Sequence, residues 1–144
     1  MTRFALAMLA YAVPTFVLGY VWHLVLFARA YEALAIYRSD IIIPFGFVAI
    51  AIQAAIFAWI YRQAFAGRNG AFASQALAYG ALGAVLSWSY TTLAVGAKNL
   101  MASVPDYVLI ETAFTLVQWA MVAPLTVLAF RATDRGDEAL RTAG

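Results

Sequence analysis

Cysteine is absent from this 144-residue chain. Disulfides, iron–sulfur clusters, thiol catalysis and cysteine zinc sites are therefore excluded. Charge is scarce: 11% of residues are Asp, Glu, Lys or Arg, against about 25% in an ordinary soluble domain. With 65% hydrophobic residues and a mean hydropathy of +0.83, too few polar side chains remain to cover a surface in water. That excludes an ordinary soluble domain, a disordered chain and a nucleic-acid module. Nine basic against seven acidic residues is too small an excess to attract a polyanion. No nucleophile–base motif, glycine-rich phosphate loop or dinucleotide fingerprint is visible.

Long apolar runs are plentiful. A membrane-crossing helix needs roughly 20 apolar residues, because the hydrocarbon core is about 30 Å thick and each residue rises 1.5 Å. Four segments qualify, at about 4–28, 41–61, 72–97 and 107–130, each bounded by charges and nearly free of them. They do not alternate polar and apolar, as barrel strands do, and helices satisfy their backbone groups locally in lipid. The expected fold is all-α, a four-helix antiparallel transmembrane bundle over residues 1–131. A polar, disordered cytoplasmic tail is expected at 132–144. Residues Arg29 to Asp40 are expected to extend the first helix or to lie along the interface.

Loop chemistry sets the direction. With the N-terminus inside, the inner loops hold Arg3, Arg62, Arg68, Arg131, Arg135 and Arg141, and the outer ones hold Arg29, Arg38 and Lys98. This bias puts both termini in the cytoplasm of a multi-pass protein. The first apolar stretch is longer than the roughly 7–15 residues of a signal-peptide core, so it is read as a retained helix. Arg68-Asn69-Gly70 is a turn signal, and Ser103, Pro105 and Asp106 suit the start of the last helix.

Ionisable groups at membrane depth are costly and face the bundle interior. His23 and Glu111 stand out. Each lies about seven residues, or roughly 10 Å, from its helix midpoint towards the outer side. Glu111, Thr115 and Gln118 share one helical face, as do Thr15, Gly19 and His23. Gly80, Gly83, Ser87 and Thr91 form a small and hydroxylated stripe, and Gly46 and Gln53 lie seven apart. These faces are expected to enclose an outer polar pocket whose binding residues are His23, Glu111, Thr115, Gln118, Gln53 and Trp22. Small-residue stripes are also the ordinary packing surface of membrane helices. One histidine and one carboxylate fall short of a zinc or di-iron site. No cofactor is expected; a b-type haem on His23 would need Met8, Met101, Met121 or a second copy's histidine as its other axial ligand.

The run Gly19-x-x-Trp22-His23, followed by Phe27 and Tyr31, resembles the first-helix pattern of small bacterial four-helix membrane proteins of unknown function. The stretch Ile41-Ile42-Ile43-Pro44-Phe45-Gly46-Phe47 has a similar character. The resemblance implies a four-helix architecture in a bacterial cytoplasmic membrane and no particular activity. The expected role is a non-catalytic accessory subunit or homo-oligomeric membrane component, with lipids and other transmembrane helices as partners and no nucleic acid. The alternative is a small-molecule or lipid binding or transport protein using the His23–Glu111 pocket.

Overall fold

A computed structural model describes the backbone of residues 2–38, 40–68 and 70–142 and the side chains of 3–38, 40–68 and 70–132. Every regular element among them is helical. Helix α1 (Thr2–Val21) runs into a π-helical turn at Trp22–Leu26, followed by the short α2 (Ala28–Leu34). Helix α3 is Ile43–Ala64. Helix α4 (Phe72–Trp88) continues through a second π-helical turn at Ser89–Leu93 into α5 (Ala94–Lys98), and α6 is Val104–Thr142. Helix α6 carries the polar segment 132–142 as helical backbone, where composition had pointed to disorder; 143 and 144 lie outside the described residues.

Three stretches are long and apolar enough to cross a membrane: Arg3–Leu26, Ile43–Ala64 and Val104–Ala132. The sequence reading expects a fourth at 72–97. The α4–α5 rod has the length, but Gln75, Ser87, Ser89, Thr91 and Thr92 make it the most polar of the four. Local signals act as their chemistry requires. Pro44 sits in the first turn of α3, where its missing N–H costs nothing. The Ser103 hydroxyl accepts from the Asp106 backbone N–H at 3.4 Å and caps α6. The reversal after α3 is made at Gly67 (φ +77°), where a side chain would be strained. It precedes the expected Arg68-Asn69-Gly70 signal, whose Asn69 lies outside the described residues.

Side-chain pairs fix the helix directions. His23 meets Glu111 and Thr15 meets Gln118, so residue numbers rise along α1 as they fall along α6. Tyr79 bonds the Phe57 carbonyl and Tyr61 bonds Gln75, so α3 and α4 are also antiparallel. Loops close both ends: Ala102 N–H donates to the Leu34 carbonyl at one, and the Arg131 guanidinium to the Gly70 carbonyl at the other.

The molecule is apolar outside and more polar within. Leu77, Leu109 and Phe45 are 76%, 73% and 71% exposed, whereas Glu111 and Gln118 are 7% and 6% exposed. Four tyrosines, Tyr11, Tyr31, Tyr61 and Tyr79, are the largest fully buried side chains. Each donates its hydroxyl, to Gln53, Glu111, Gln75 and the Phe57 carbonyl respectively. A buried ring adds packing area and its hydroxyl fixes direction, so tyrosine specifies helix rotation where leucine cannot. Of the small residues read as inward faces, Gly80 and Gly83 do meet α6, while a Cβ on Gly19 or Gly46 would meet nothing within 4 Å.

Candidate functional site

The π-helical turn at Trp22–Leu26 and the break at Phe27 let α2 fold back, which puts Tyr31 fully inside. There the Tyr31 hydroxyl donates to Glu111 Oε1 at 2.6 Å, in the range of hydroxyl-to-carboxylate bonds. His23 Nε2 lies 3.3 Å from the same oxygen. Its Nδ1 lies 2.8 Å from the Gly19 carbonyl oxygen. A carbonyl only accepts, so Nδ1 carries a hydrogen. The Nε2–Oε1 contact then holds one proton: an imidazolium donates to the carboxylate, or a protonated Glu111 donates to a neutral ring. In both forms the pair is neutral overall, and a proton can cross it without creating a net charge.

Aromatic rings frame the pair. Phe114 meets the His23 ring edge-on at 4.7 Å, and Tyr31 lies against it at 4.7 Å. Tyr37 stacks on Tyr31 at 5.3 Å with 16° between planes. Beyond them opens a cavity of about 300 Å³, lined by His23, Leu24, Ala28, Tyr31, Glu32, Ala35 and Tyr37. Glu32 is its only formally charged lining residue besides the His23 ring when protonated. The Tyr107 hydroxyl donates at 2.7 Å to the Thr91 carbonyl inside the second π-helical turn. Tyr107 packs in turn with Tyr31 and Leu34. Both π-helical turns thus feed the same cap, and such turns recur at functional sites.

The six sequence candidates divide. His23 and Glu111 meet. Trp22 packs below them on Phe27 and Phe114 rather than lining the cavity, and its buried indole N–H has no hydrogen-bond partner among the described residues. Gln53 and Gln118 belong to a second network. Tyr11 donates to Gln53 Oε1 at 2.9 Å, and Gln118 Nε2 donates to Thr15 Oγ1 at 3.1 Å and reaches Tyr11 at 3.5 Å. Thr15 is eight residues before His23, or about 12 Å along the helix. This network therefore ties α1, α3 and α6 together mid-bundle and does not touch the cavity. Thr115 turns the other way, into an α4–α6 groove with Ala84, Val85, Trp88, Thr112 and Leu116. A shared helical face spans a wide arc, and neighbours on both sides of α6 divide it.

Sequence reasoning missed Tyr31, Tyr37 and Phe114. Tyr31 is eight residues after His23, which is a one-face spacing, but an amphipathic tyrosine beside a loop reads first as an interface anchor. Both His23 ring nitrogens are engaged, so a metal on this ring would have to displace the Gly19 or Glu111 contact. Among the described residues no group of three His, Asp or Glu side chains converges.

Burial, then the Glu111 hydrogen bond and charge, push the Tyr31 hydroxyl far above the ordinary value of 10.0. An acid whose folded value is raised supplies stability that is complete below its unfolded value and is lost as pH rises past it. Thermal stability is therefore expected to fall on going from pH 9 to pH 11, and Tyr31→Phe is expected to flatten that fall. Identical pH slopes for the variant and the parent would refute the assignment.

Comparison with protein-family models, with curated proteins and with solved structures finds no match to this chain.

Proposed function

We propose that this is a multi-pass protein of a bacterial cytoplasmic membrane that binds a small amphipathic molecule at the His23–Glu111–Tyr31 cap. The membrane reading rests on three helices of spanning length and on an outside more apolar than the inside. In this reading the α4–α5 rod is the fourth span of an antiparallel bundle. Ser87 accepts from Trp119 on the inner side, and Ser89 and Thr91 bond carbonyls of the preceding turn. The arginines of the Arg62–Arg68 and Arg131 end face the cytoplasm, which puts the His23 cap on the outer side.

One observation carries the binding role: His23 and Tyr31, both bonded to the buried Glu111, line a cavity of about 300 Å³. A volume of this size suits a small ligand or a lipid head. Its walls offer the Tyr31 and Tyr37 hydroxyls, an imidazole and the Glu32 carboxylate but no lysine or arginine, so the favoured head is neutral or cationic. Leu24 and the lipid-facing side of α1 receive the apolar part. The role is read as non-catalytic, the cap offering hydrogen bonds and one exchangeable proton.

The test is native mass spectrometry of the protein released from its own membranes, beside a His23→Leu variant. The parent is expected to carry a reproducible small extra mass that the variant lacks. Identical spectra without an adduct would overturn the binding role. A hetero-complex of defined mass, unchanged by the variant, would instead establish the accessory-subunit role.

A further inference from the structure

The opposite end of the bundle holds a second cavity, of about 290 Å³, between the end of α3, the start of α4 and α6. Its chemistry is the reverse of the cap's. Tyr61, Phe65 and Phe130 form an aromatic floor, with Tyr61 4.8 Å from Phe130 and stacked on Phe65 at 5.7 Å. Arg68, Gln75 and Arg131 complete the wall, and no carboxylate lines it. Two arginines therefore line one cavity with no carboxylate among the described lining residues.

Arg131 is held in place. Its Nη2 donates to the Gly70 carbonyl at 2.6 Å and to Gln75 Oε1 at 2.8 Å. The Phe72 ring lies 5.7 Å from the guanidinium carbon. Gln75 is fixed in turn: Tyr61 donates to the same Oε1 at 3.2 Å, and Gln75 Nε2 donates to the Arg68 carbonyl at 2.8 Å. Both Arg131 bonds use Nη2, and Nε and Nη1 donate to no other group among the described residues. Both two-nitrogen edges of a guanidinium include Nη2, which is occupied here, so Arg131 offers an oxyanion single charge-assisted hydrogen bonds from Nη1 or Nε. Preorganisation lowers the ordering cost of binding.

We infer that this arginine cavity binds the phosphate group of an anionic ligand, with Arg131 as a charge-assisted hydrogen-bond donor held in place and Arg68 as the second cation. The ligand's source is either a phospholipid headgroup, whose glycerol would rest on the Tyr61–Phe65–Phe130 floor, or free phosphate. The site is independent of the His23 cap.

The test uses the full chain purified in a zwitterionic detergent and titrated, by native mass spectrometry, with phosphatidylglycerol, phosphatidylcholine and inorganic phosphate. Phosphatidylglycerol is expected to be retained about tenfold more strongly than phosphatidylcholine, and Arg131→Gln and Arg68→Gln each to remove about tenfold, as expected for loss of one charge-assisted contact. Binding of inorganic phosphate without a phosphatidylglycerol preference, lost in the same variants, would support the site and assign it to free phosphate. Arg131 also ties α6 to the loop before α4, so its variant is checked by circular dichroism. Arg68 donates no side-chain hydrogen bond among the described residues, so Arg68→Gln reads the site without that loss. Neither ligand binding, or affinities unchanged in Arg68→Gln, would overturn the inference.

Discussion

Glu111→Leu is expected to destabilise the protein by about 2 kcal/mol, the scale of leaving buried polar groups without partners. The Tyr31 hydroxyl and His23 Nε2 both end on Glu111 Oε1, so one substitution orphans two groups. A single hydrogen bond between membrane helices averages only about 0.6 kcal/mol, and a loss of that size would mean that Tyr31 finds another acceptor. Glu111→Gln is the milder change. With the amide oxygen at the Oε1 position the Tyr31 bond is kept, but the His23 contact needs a hydrogen on Nε2 at the expense of the Nδ1–Gly19 bond, so a loss of about 1 kcal/mol, one hydrogen bond, is expected. Unfolding in mixed detergent micelles gives the stabilities. Full stability in Glu111→Leu would remove the cap from the account of the fold.

Gly83→Ala carries the second large effect. A Cβ there would lie 2.1 Å from Trp119 Cη2 and 2.2 Å from Cζ3. The indole cannot swing aside cheaply. Its N–H donates to Ser87 Oγ at 3.1 Å, and its ring meets Phe57 edge-on at 4.7 Å and Tyr79 at 5.5 Å. Overpacking of a tight contact costs about 1–3 kcal/mol, whereas alanine regains about 1 kcal/mol of helix propensity over glycine. The site is at the severe end of the packing range, so a net loss of about 2 kcal/mol is expected. Gly80→Ala is the graded control: its Cβ would meet Ala123 Cβ at 3.1 Å, which asks for a shift of a few tenths of an ångström. Gly46→Ala faces open space and is expected to be neutral or mildly stabilising. Trp119→Leu should make Gly83→Ala far less damaging than it is in the parent, and additive losses in the double variant would show that the α4–α6 contact is not the cause.

The sequence by itself determined the helices and much of their placement. Apolar runs bounded by Arg3, Arg62, Lys98 and Arg131 locate the rods because a backbone in hydrocarbon must bond internally. Ser103 and Pro44 mark helix starts because capping is local chemistry. The depth count also brought His23 and Glu111 to the same level, since rise per residue is constant along a helix.

Only the tertiary structure decided rotation and neighbours. Spacing puts Glu111, Thr115 and Gln118 on one face, yet they reach three different environments: the cap, the α4–α6 groove and the mid-bundle network. Gly19 and Gly83 look alike in a list of small residues, but only Gly83 has an indole against it. Tyr31 enters the cap because the chain bends at Phe27, a turn that no proline or glycine announces. Local sequence sets what each turn of helix is made of. Which side chains share a cavity depends on helix packing, where contacts distant in the chain compete and the best-satisfied polar groups set the rotation.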